Sequence, residues 1–455
     1  MAFFLMAISS RSLGDLAIWI SEGQQIFLQK TIYILDIHSM NATSSYPYPW
    51  LSSVIYFCIY KFMSLDFIYV LHRLIPPFII FFWLQKFPQL LYKKNWWIIL
   101  ISMLGSSSMF IDRPALLAIP FVVISFHLFE SNGFLKNRIW MYLILWLWVQ
   151  IHGSFILYFI LLGWKVLINV LIRKKYFLIK KYLKFIFCSL LISTLNPWGF
   201  KIYEYVYVTA RVSSYRMTEW QPLYKIFDNL NLITIFAALF ILISICLLLA
   251  KRIQKLTLFR ASTLLFVMMI FGMRNISIFF ATWPLAYFQR AQKIKFVNKA
   301  TPLIKIVLNY SILLAILICS IFMISDKSLE IRKNLGTPSL SLYDQTVVPE
   351  VFHYLKKVDG QKNIFNDWLL GSYLTLLPDT KIFIDTRNII YSDQIDRDYE
   401  NIYKNDFKQS ENVFSSKNIN YILIKSNSTL AQSLQSSPNW SLVMTEGLYV
   451  LYKKN

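Results

Sequence analysis

The stretch SFILYFILLGWKVLINVLI (residues 154–172) is followed directly by Arg173, Lys174 and Lys175. An apolar run of this length matches the roughly 20 residues that an α-helix needs to cross the hydrocarbon core of a bilayer. Basic residues at the end of such a run are typical of a loop kept in the cytoplasm. Similar apolar runs recur from Leu51 to Ser325. The pattern therefore predicts an α-helical polytopic membrane bundle.

The composition separates a membrane part from a soluble part. The chain is 56% hydrophobic and 15% charged, with a mean hydropathy of +0.48, values that exclude an ordinary soluble globular protein. Residues 1–325 contain 9 acidic and 31 basic residues, whereas residues 326–455 contain 15 of each. Basic loops that orient membrane spans explain the net charge of +22 without a nucleic-acid partner. We predict a transmembrane domain over residues 1–325 and an extracytoplasmic α/β domain over residues 326–455.

Cysteine placement and the N-terminus give two further expectations. All 4 cysteines lie in apolar runs, which favours packing over disulfide or metal chemistry. The N-terminal MAFFLMAIS is too short for a signal-peptide core followed by a cleavage site, and too short to span a bilayer. Either a first span is truncated or the chain begins at the membrane surface, and we expect truncation.

Five clusters of basic residues define the expected topology. If all of them lie in the cytoplasm, an even number of crossings separates neighbouring clusters, and about 10 to 11 spans satisfy this condition, several of them shorter than the roughly 20 residues that cross a bilayer. The expected spans are 66–87, 95–110, 114–129, 139–151, 154–172, 185–196, 231–250, 261–274, 276–290 and 306–325, with 51–64 as a partial or interfacial helix. The outer face then carries the first loop 10–50, turns near 111–113, 152–153 and 274–275, the long loop 196–230, and the tail.

In the tail, we predict strands at 381–385, 420–424 and 448–452 and helices at 349–358 and 396–406.

The acidic residues of the membrane part are unevenly distributed. Of the nine, two are Asp66 and Glu130, and the other seven fall on the expected outer face: Asp15, Glu22, Asp36, Asp112, Glu204, Glu219 and Asp228. Carboxylates are costly near a bilayer, so their collection on one side indicates a site. Asp15 lies near the start of an amphipathic segment, where an Asp is also a common helix N-cap. Asp36 follows in the same loop, and Glu219 lies beside Trp220 in TEWQP.

Basic residues and a histidine lie at the same expected outer face. Arg113 in IDRPALLA is suited either to contact with lipid headgroups or to bidentate contact with a phosphate. Arg274 occupies another outer corner, and His152 in WVQIHGSF is either a substrate ligand or a structural turn residue. In the tail, Asp385 and Arg387 are expected to form a structural pair, and NDWLLGSY to pack tightly. The sequence contains no metal-ligand, phosphate-loop or nucleophile-elbow motif.

Several strings in order carry a family resemblance. They are LGDLAIWISEGQQI, RPALLA, WVQIHGSF, LNPWG, TEWQP and MRNISIF, and then NIFNDWLLGSYLTLLPDTKIFIDTRNIIY and RDY in the tail. With these strings the chain resembles bacterial polytopic glycosyltransferases of the GT-C type, which are related in architecture to protein mannosyltransferases and to the aminoarabinose transferases of lipid A. The resemblance covers nearly the whole chain from about residue 12 onward.

The resemblance implies a reaction and roles for individual residues. It implies a sugar on a polyprenyl phosphate as donor, transferred with inversion to an envelope lipid, glycan or protein on the outer face of the bacterial cytoplasmic membrane. A carboxylate of the first outer loop, here Asp15, would act as base or acceptor-positioning group, with Asp36 and Glu219 as partners. Arg113 and Arg274 would bind the donor phosphate, with His152 as a further substrate-binding residue. The resemblance implies no certain cofactor, and a divalent cation stays open.

Two departures keep other functions open. Relatives often have two aspartates two residues apart in the first loop, but this chain has Leu13 before Asp15, and Pro49 replaces an acidic residue before Trp50 and Leu51. An inactive homologue that serves as an assembly factor is therefore one alternative. A transporter or flippase of lipid-linked sugars is the other, although such proteins often contain internal repeats and helices broken at the bilayer centre, and the sequence shows no two-fold repeat.

Overall fold

The computed structural model describes residues 13–32, 36–41, 49–87, 90, 98–99, 102, 106, 114–131, 134–216, 264–265, 267–268, 275–291, 348–387, 390–404 and 407–455. Helices dominate these residues. The α-helices, numbered along the chain, are α1 (Leu13–Gln29), α2 (Trp50–Phe62), α3 (Leu65–Lys86), α4 (Pro114–Glu130), α5 (Arg138–Ile151), α6 (Ile156–Leu167), α7 (Ile179–Ser193), α8 (Lys201–Arg216), α9 (Asn275–Ala291), α10 (Pro349–Lys357), α11 (Trp368–Leu374), α12 (Asp393–Lys404), α13 (Phe407–Ser416) and α14 (Thr429–Gln435). The strands are β1 (Lys362–Asn366), β2 (Thr380–Ile382), β3 (Tyr421–Lys425), β4 (Trp440–Glu446) and β5 (Tyr449–Lys454).

The chain divides into two compact units. The sheet unit comprises Ile8–Val70, Asp112–Pro114 and Phe322–Asn455, and the helical unit comprises Met1–Ala7, Leu71–Ile111 and Ala115–Ile321. The sheet unit thus joins the tail to the segment that contains α1 and α2. The division of the chain into domains 1–325 and 326–455 stays a prediction.

The sheet unit is built on a mixed five-stranded sheet with the strand order β2-β1-β3-β5-β4. Strands β1, β2 and β3 run parallel, and β5 pairs antiparallel with both β3 and β4. The parallel part follows from the helical connections: α11 lies between β1 and β2, and α12 and α13 lie between β2 and β3. The β4–β5 hairpin closes at Gly447, whose φ of +56° suits a residue without Cβ. The α/β character predicted for the tail is confirmed.

Aromatic side chains form much of the core of the sheet unit. Phe365 of β1 lies with its ring centroid 4.9 Å from that of Phe383 and 5.3 Å from that of Phe414. Phe414 in turn contacts Trp440 of β4 at 5.7 Å. The predicted strands at 381–385, 420–424 and 448–452 correspond to β2, β3 and β5, whereas β1 and β4 were not predicted.

Two N-terminal elements pack within the sheet unit. Helix α1 lies against α2, and a Cβ added to Gly23 would overlap the carbonyl oxygen of Ser53 and come within 2.8 Å of the Cβ of Phe57. Residues 38–41 extend the sheet at its β2 edge: the Ile382 N–H donates to the His38 carbonyl at 2.7 Å, and Met40 N–H donates to the Ile382 carbonyl at 3.0 Å. An otherwise open strand edge is thereby paired.

In the helical unit, the observed helices largely follow the predicted spans. Helices α4, α5 and α9 lie within two residues of the expected bounds, whereas α7 begins at Ile179 rather than 185 and so includes three lysines of a basic cluster. Within the described residues, two helical stretches, Phe67–Lys86 and Gly153–Ile172, are long and apolar enough to cross a membrane. Helices α2 and α4 are apolar but shorter. The predicted spans at 231–250 and 306–325 lie outside the described residues, as do most of those at 95–110 and 261–274.

The long predicted outer loop begins with structure that the sequence did not indicate. The NPWG turn ends α7 as expected: the Asn196 amide donates to the Ser193 carbonyl at 2.7 Å, and Gly199 has a φ of +55°. Helix α8 then occupies much of what was expected to be loop. Its mixed polar and aromatic sequence, KIYEYVYVTARVSSYR, gave no clear apolar run.

Candidate functional site

Arg387 lies in a turn just after β2, where the sheet edge meets the N-terminal elements. Its backbone N–H donates to the carboxylate of Asp385 at 2.7 Å, which closes the turn on itself. The guanidinium then folds back onto the same carboxylate, with Nε 3.0 Å and Nη2 2.6 Å from Oδ2. Asp385 and Arg387 therefore form the pair that the sequence predicted.

The same guanidinium contacts two carboxylates from the N-terminal part of the sheet unit. Nη2 lies 2.7 Å from Oδ2 of Asp36, and Nη1 lies 3.4 Å from Oε1 of Glu22 on α1. The side chains are almost completely excluded from water, with exposed fractions of 8% for Arg387, 4% for Glu22, 2% for Asp36 and 0% for Asp385. We refer to these four residues as the Arg387 cluster. One cation thus ties two neighbouring N-terminal segments to a segment about 350 residues further along the chain.

Local geometry explains why Asp36 points at the guanidinium. Its Oδ1 accepts hydrogen bonds from the backbone N–H groups of His38 at 2.9 Å and Ser39 at 3.1 Å, which is the pattern of an Asx turn. The turn directs residues 38–41 along β2, where Asn41 donates its amide to the Phe383 carbonyl at 2.8 Å. Asp36 therefore both begins the added edge segment and pairs with Arg387.

Electrostatics shift the pKa values of Asp36 and Glu22 in opposite directions. Burial would raise the pKa of Asp36, but Arg387 and the two backbone donors together lower it below its usual value. Burial dominates for Glu22 and raises its pKa to about 8, because Arg387 is more distant and two other carboxylates repel a further negative charge. The pKa of Arg387 itself lies well above its usual value, since Asp385 and Asp36 outweigh its burial. At neutral pH Glu22 is therefore protonated, whereas Asp36 is ionised beside the Arg387 guanidinium.

Helix α1 carries two buried oxygens that lack hydrogen-bond partners among the described residues. They are Oε2 of Glu22 and Oε1 of Gln25. Positions 22 and 25 lie one turn apart on the same helix face. A protonated carboxyl is a donor, and an amide oxygen is an acceptor. The protonation expected for Glu22 is thus chemically complementary to its neighbour on α1.

The structure brings together only part of the predicted site. Asp36 lies in the Arg387 cluster. Asp15 falls in the first turn of α1, but its side chain lies outside the described residues, as do Arg113, Glu219 and Arg274. His152 ends α5, and its Nδ1 accepts from the Ser154 N–H at 3.1 Å and lies 2.9 Å from the Ser154 Oγ. The catalytic and substrate-binding roles of these residues stay predictions.

Three residues of the cluster, Glu22, Asp385 and Arg387, had no functional role assigned from the sequence. Glu22 was recognised only as one acid of the outer face, and Arg387 as half of a local pair. The available signals were an Asp-x-Arg triplet directly after a strand and an acid at mid-helix in an apolar segment. Within the described ranges, no group of three or more His, Cys, Asp or Glu residues is arranged to bind a metal ion.

The described residues thus combine two apolar helical stretches of membrane-spanning length with an α/β unit built on a mixed five-stranded sheet. No family model and no curated protein matches the sequence. Among solved structures, the chain is similar to the archaeal oligosaccharyltransferase AglB from Archaeoglobus fulgidus, determined in complex with an inhibitory peptide and a dolichol-phosphate. The TM-score is 0.46 at 9% sequence identity, and the match covers 98% of this chain and 70% of that chain.

Proposed function

We propose that this protein is a glycosyltransferase of the bacterial cytoplasmic membrane that transfers a sugar from a polyprenyl-phosphate donor to an envelope lipid, glycan or protein on the outer face. The ordered strings quoted above support the class. The span-length apolar helices and the basic clusters between the expected spans support a multi-pass membrane location with the C-terminal domain outside.

One structural observation carries the proposal: α1, the helix that contains Asp15, is anchored to the segment after β2 by the buried Arg387 cluster. A catalytic carboxylate must be held in a productive geometry before the reaction, because orientation contributes a large part of rate acceleration. Burying charged groups is costly unless they are paired. A buried cluster in which one guanidinium pairs with carboxylates and contacts the helix of a candidate base is therefore well suited to preorganise a site.

In the proposed reaction, Asp15 accepts the proton of an acceptor hydroxyl as the hydroxyl oxygen attacks the anomeric carbon of the donor. The bond from that carbon to the phosphate oxygen breaks, and the polyprenyl phosphate leaves with the electron pair. Arg113 and Arg274 stabilise the charge on the leaving phosphate, and His152 contacts the substrate. Inversion at the anomeric carbon follows from attack opposite the leaving group.

The contacts of Asp36 favour a different task from that of Asp15 within the same site. A lowered pKa makes a carboxylate a weak base at neutral pH, and Asp36 is occupied by Arg387 and two backbone donors. In the proposal Asp36 therefore orients the first outer loop, and Glu219 acts beside Asp15.

The decisive experiment is a transfer assay with purified protein, a panel of polyprenyl-phosphate sugars, and envelope acceptors, each with and without a divalent cation. The Asp15→Asn variant should lose product formation while its yield in the membrane is unchanged. Asp359→Asn, which changes an exposed aspartate of the sheet unit, is the matched control and should retain activity. Undiminished transfer by Asp15→Asn would remove Asp15 from the mechanism. If reconstituted protein instead moves labelled lipid across the bilayer without product, the chain is a transporter.

A further inference from the structure

We propose that Arg387 is a positioning residue, through which the C-terminal part of the chain fixes α1 and hence the placement of Asp15; this inference rests on the function proposed above. The tail then contributes to the site itself and is more than an attached domain. The argument has three steps: what Arg387 connects, why the residue is an arginine, and how its contacts reach residue 15.

Arg387 connects elements that other contacts hold only separately. Helix α1 is attached at Ser21, whose hydroxyl donates to the Thr375 carbonyl at 3.2 Å. Residues 36–41 are attached along β2, for example through Asn41. Arg387 contacts both segments at once, through Glu22 and Asp36. Among the described residues it is the only cation within ion-pair distance of these carboxylates.

The geometry requires a guanidinium. Nε and Nη2 share the carboxylate of Asp385, Nη2 also contacts Asp36, and Nη1 points to Glu22. This planar fork offers five donors in fixed directions, whereas a lysine offers one compact ammonium at the end of a flexible chain. A lysine at this position preserves the charge but not the simultaneous contacts. Substitution by lysine therefore separates charge compensation from positioning.

Helix geometry carries the effect from Glu22 to residue 15. The two positions are seven residues apart, so they lie on the same face and about 10 Å apart along the axis. A tilt of α1 by about 6° at residue 22 displaces residue 15 by about 1 Å at this distance. A misplacement of about 1 Å in a catalytic group can lower the rate by about a hundredfold. Loosening the cluster should therefore lower kcat far more than it weakens donor binding.

The kinetic test compares wild type with Arg387→Met and Arg387→Lys. We expect kcat to fall about a hundredfold for Arg387→Met, whereas the KM for the donor should change much less. The kcat of Arg387→Lys should lie between those of wild type and Arg387→Met. Arg397→Met is the matched control, because Arg397 is an exposed arginine of α12 outside the cluster, and it should behave as wild type.

A double variant distinguishes positioning from stability alone. Arg387→Met leaves buried carboxylates without a countercharge, and Arg387→Met/Asp385→Asn removes one of these charges. The double variant should recover thermal stability while kcat stays low. If kcat returns in parallel with stability, Arg387 only compensates charge and the positioning role is wrong.

A distance measurement tests positioning without any activity. Spin labels at Gln24 on α1 and Gln432 on α14, both exposed positions, are introduced into protein whose native cysteines are replaced by serine. Pulsed electron–electron double resonance should give a narrow distance distribution between the two labels for wild type and Arg397→Met, and a broad distribution for Arg387→Met. If wild type shows no transferase activity but Arg387→Met still broadens the distance distribution, the proposed function is wrong and the anchoring of α1 by Arg387 stands. Unchanged distributions would overturn the positioning role.

Discussion

Replacing Glu22 by glutamine should flatten the dependence of stability on pH. Glu22 has an ordinary pKa of 4.5 that burial raises to about 8 in the folded protein. A carboxyl with a raised pKa in the folded state contributes stability that is fully present below pH 4.5 and is lost as the pH rises through 8. With about 1.4 kcal/mol per pKa unit, the loss is about 1 kcal/mol at pH 5 and about 4 kcal/mol at pH 8. Glutamine has nearly the same shape and does not titrate.

The measurement is chemical unfolding of detergent-solubilised wild type and Glu22→Gln at pH 5, 6.5 and 8. The free energy of unfolding of Glu22→Gln, relative to wild type, should rise by about 3 kcal/mol between pH 5 and pH 8. Comparing variants removes other titrations, such as that of His38, whose pKa burial lowers and whose contribution to stability is lost as the pH falls below 6.5. Glu350→Gln, at an exposed position of α10, is the matched control substitution. A difference that is constant across pH would refute the protonated state of Glu22.

Two glycine substitutions test the close approaches around the cluster. Gly371→Ala should lower the free energy of unfolding by about 1–3 kcal/mol, because the new Cβ would overlap the Ile384 carbonyl oxygen and lie 2.9 Å from Asp385 Cα; an unchanged denaturation midpoint would contradict this packing. Gly23→Ala should destabilise by a similar amount, because it pushes α1 from the Ser53 carbonyl. Gly163→Ala is the control for both, since its Cβ meets nothing within 4 Å, and a helical alanine there should be neutral or stabilising by up to about 1 kcal/mol.

The sequence predicted most of the described helices because apolar runs and punctuating residues act locally. Residues 153–172 illustrate this, since the apolar run, the His152–Gly153 break and the basic end each mark a boundary. Helix α8 escaped prediction because its surface is polar and aromatic rather than apolar. Strand β1 escaped it because KNIFN is short, and its place at the centre of the sheet depends on pairing with β2 and β3.

The site was less predictable than the fold. Asp36 was identified as a candidate from its place in an acid-rich loop, and Asp385 with Arg387 from their spacing. The ion pair between Arg387 and Asp36 joins positions about 350 residues apart in the sequence. No local sequence pattern encodes a pairing over that distance. The string NDWLLGSY was expected to pack tightly, and this is confirmed at Gly371, where an added Cβ would overlap the Ile384 carbonyl oxygen.

The contacts of the cluster also bear on which acid can act as the base. By pKa alone Glu22 is suited to proton transfer near neutral pH, since its value of about 8 is closer to 7 than that of Asp36. Geometry decides against it, because a side chain with 4% exposure cannot reach an acceptor hydroxyl without opening the cluster. For Asp36, the lowered pKa and the three contacts favour a positioning task over that of the base, and its catalytic role stays a prediction. In the proposed function, Glu22 and Asp36 therefore hold residues 13–41 in place, and the chemistry depends on Asp15, which lies seven residues from Glu22 and so on the same face of α1.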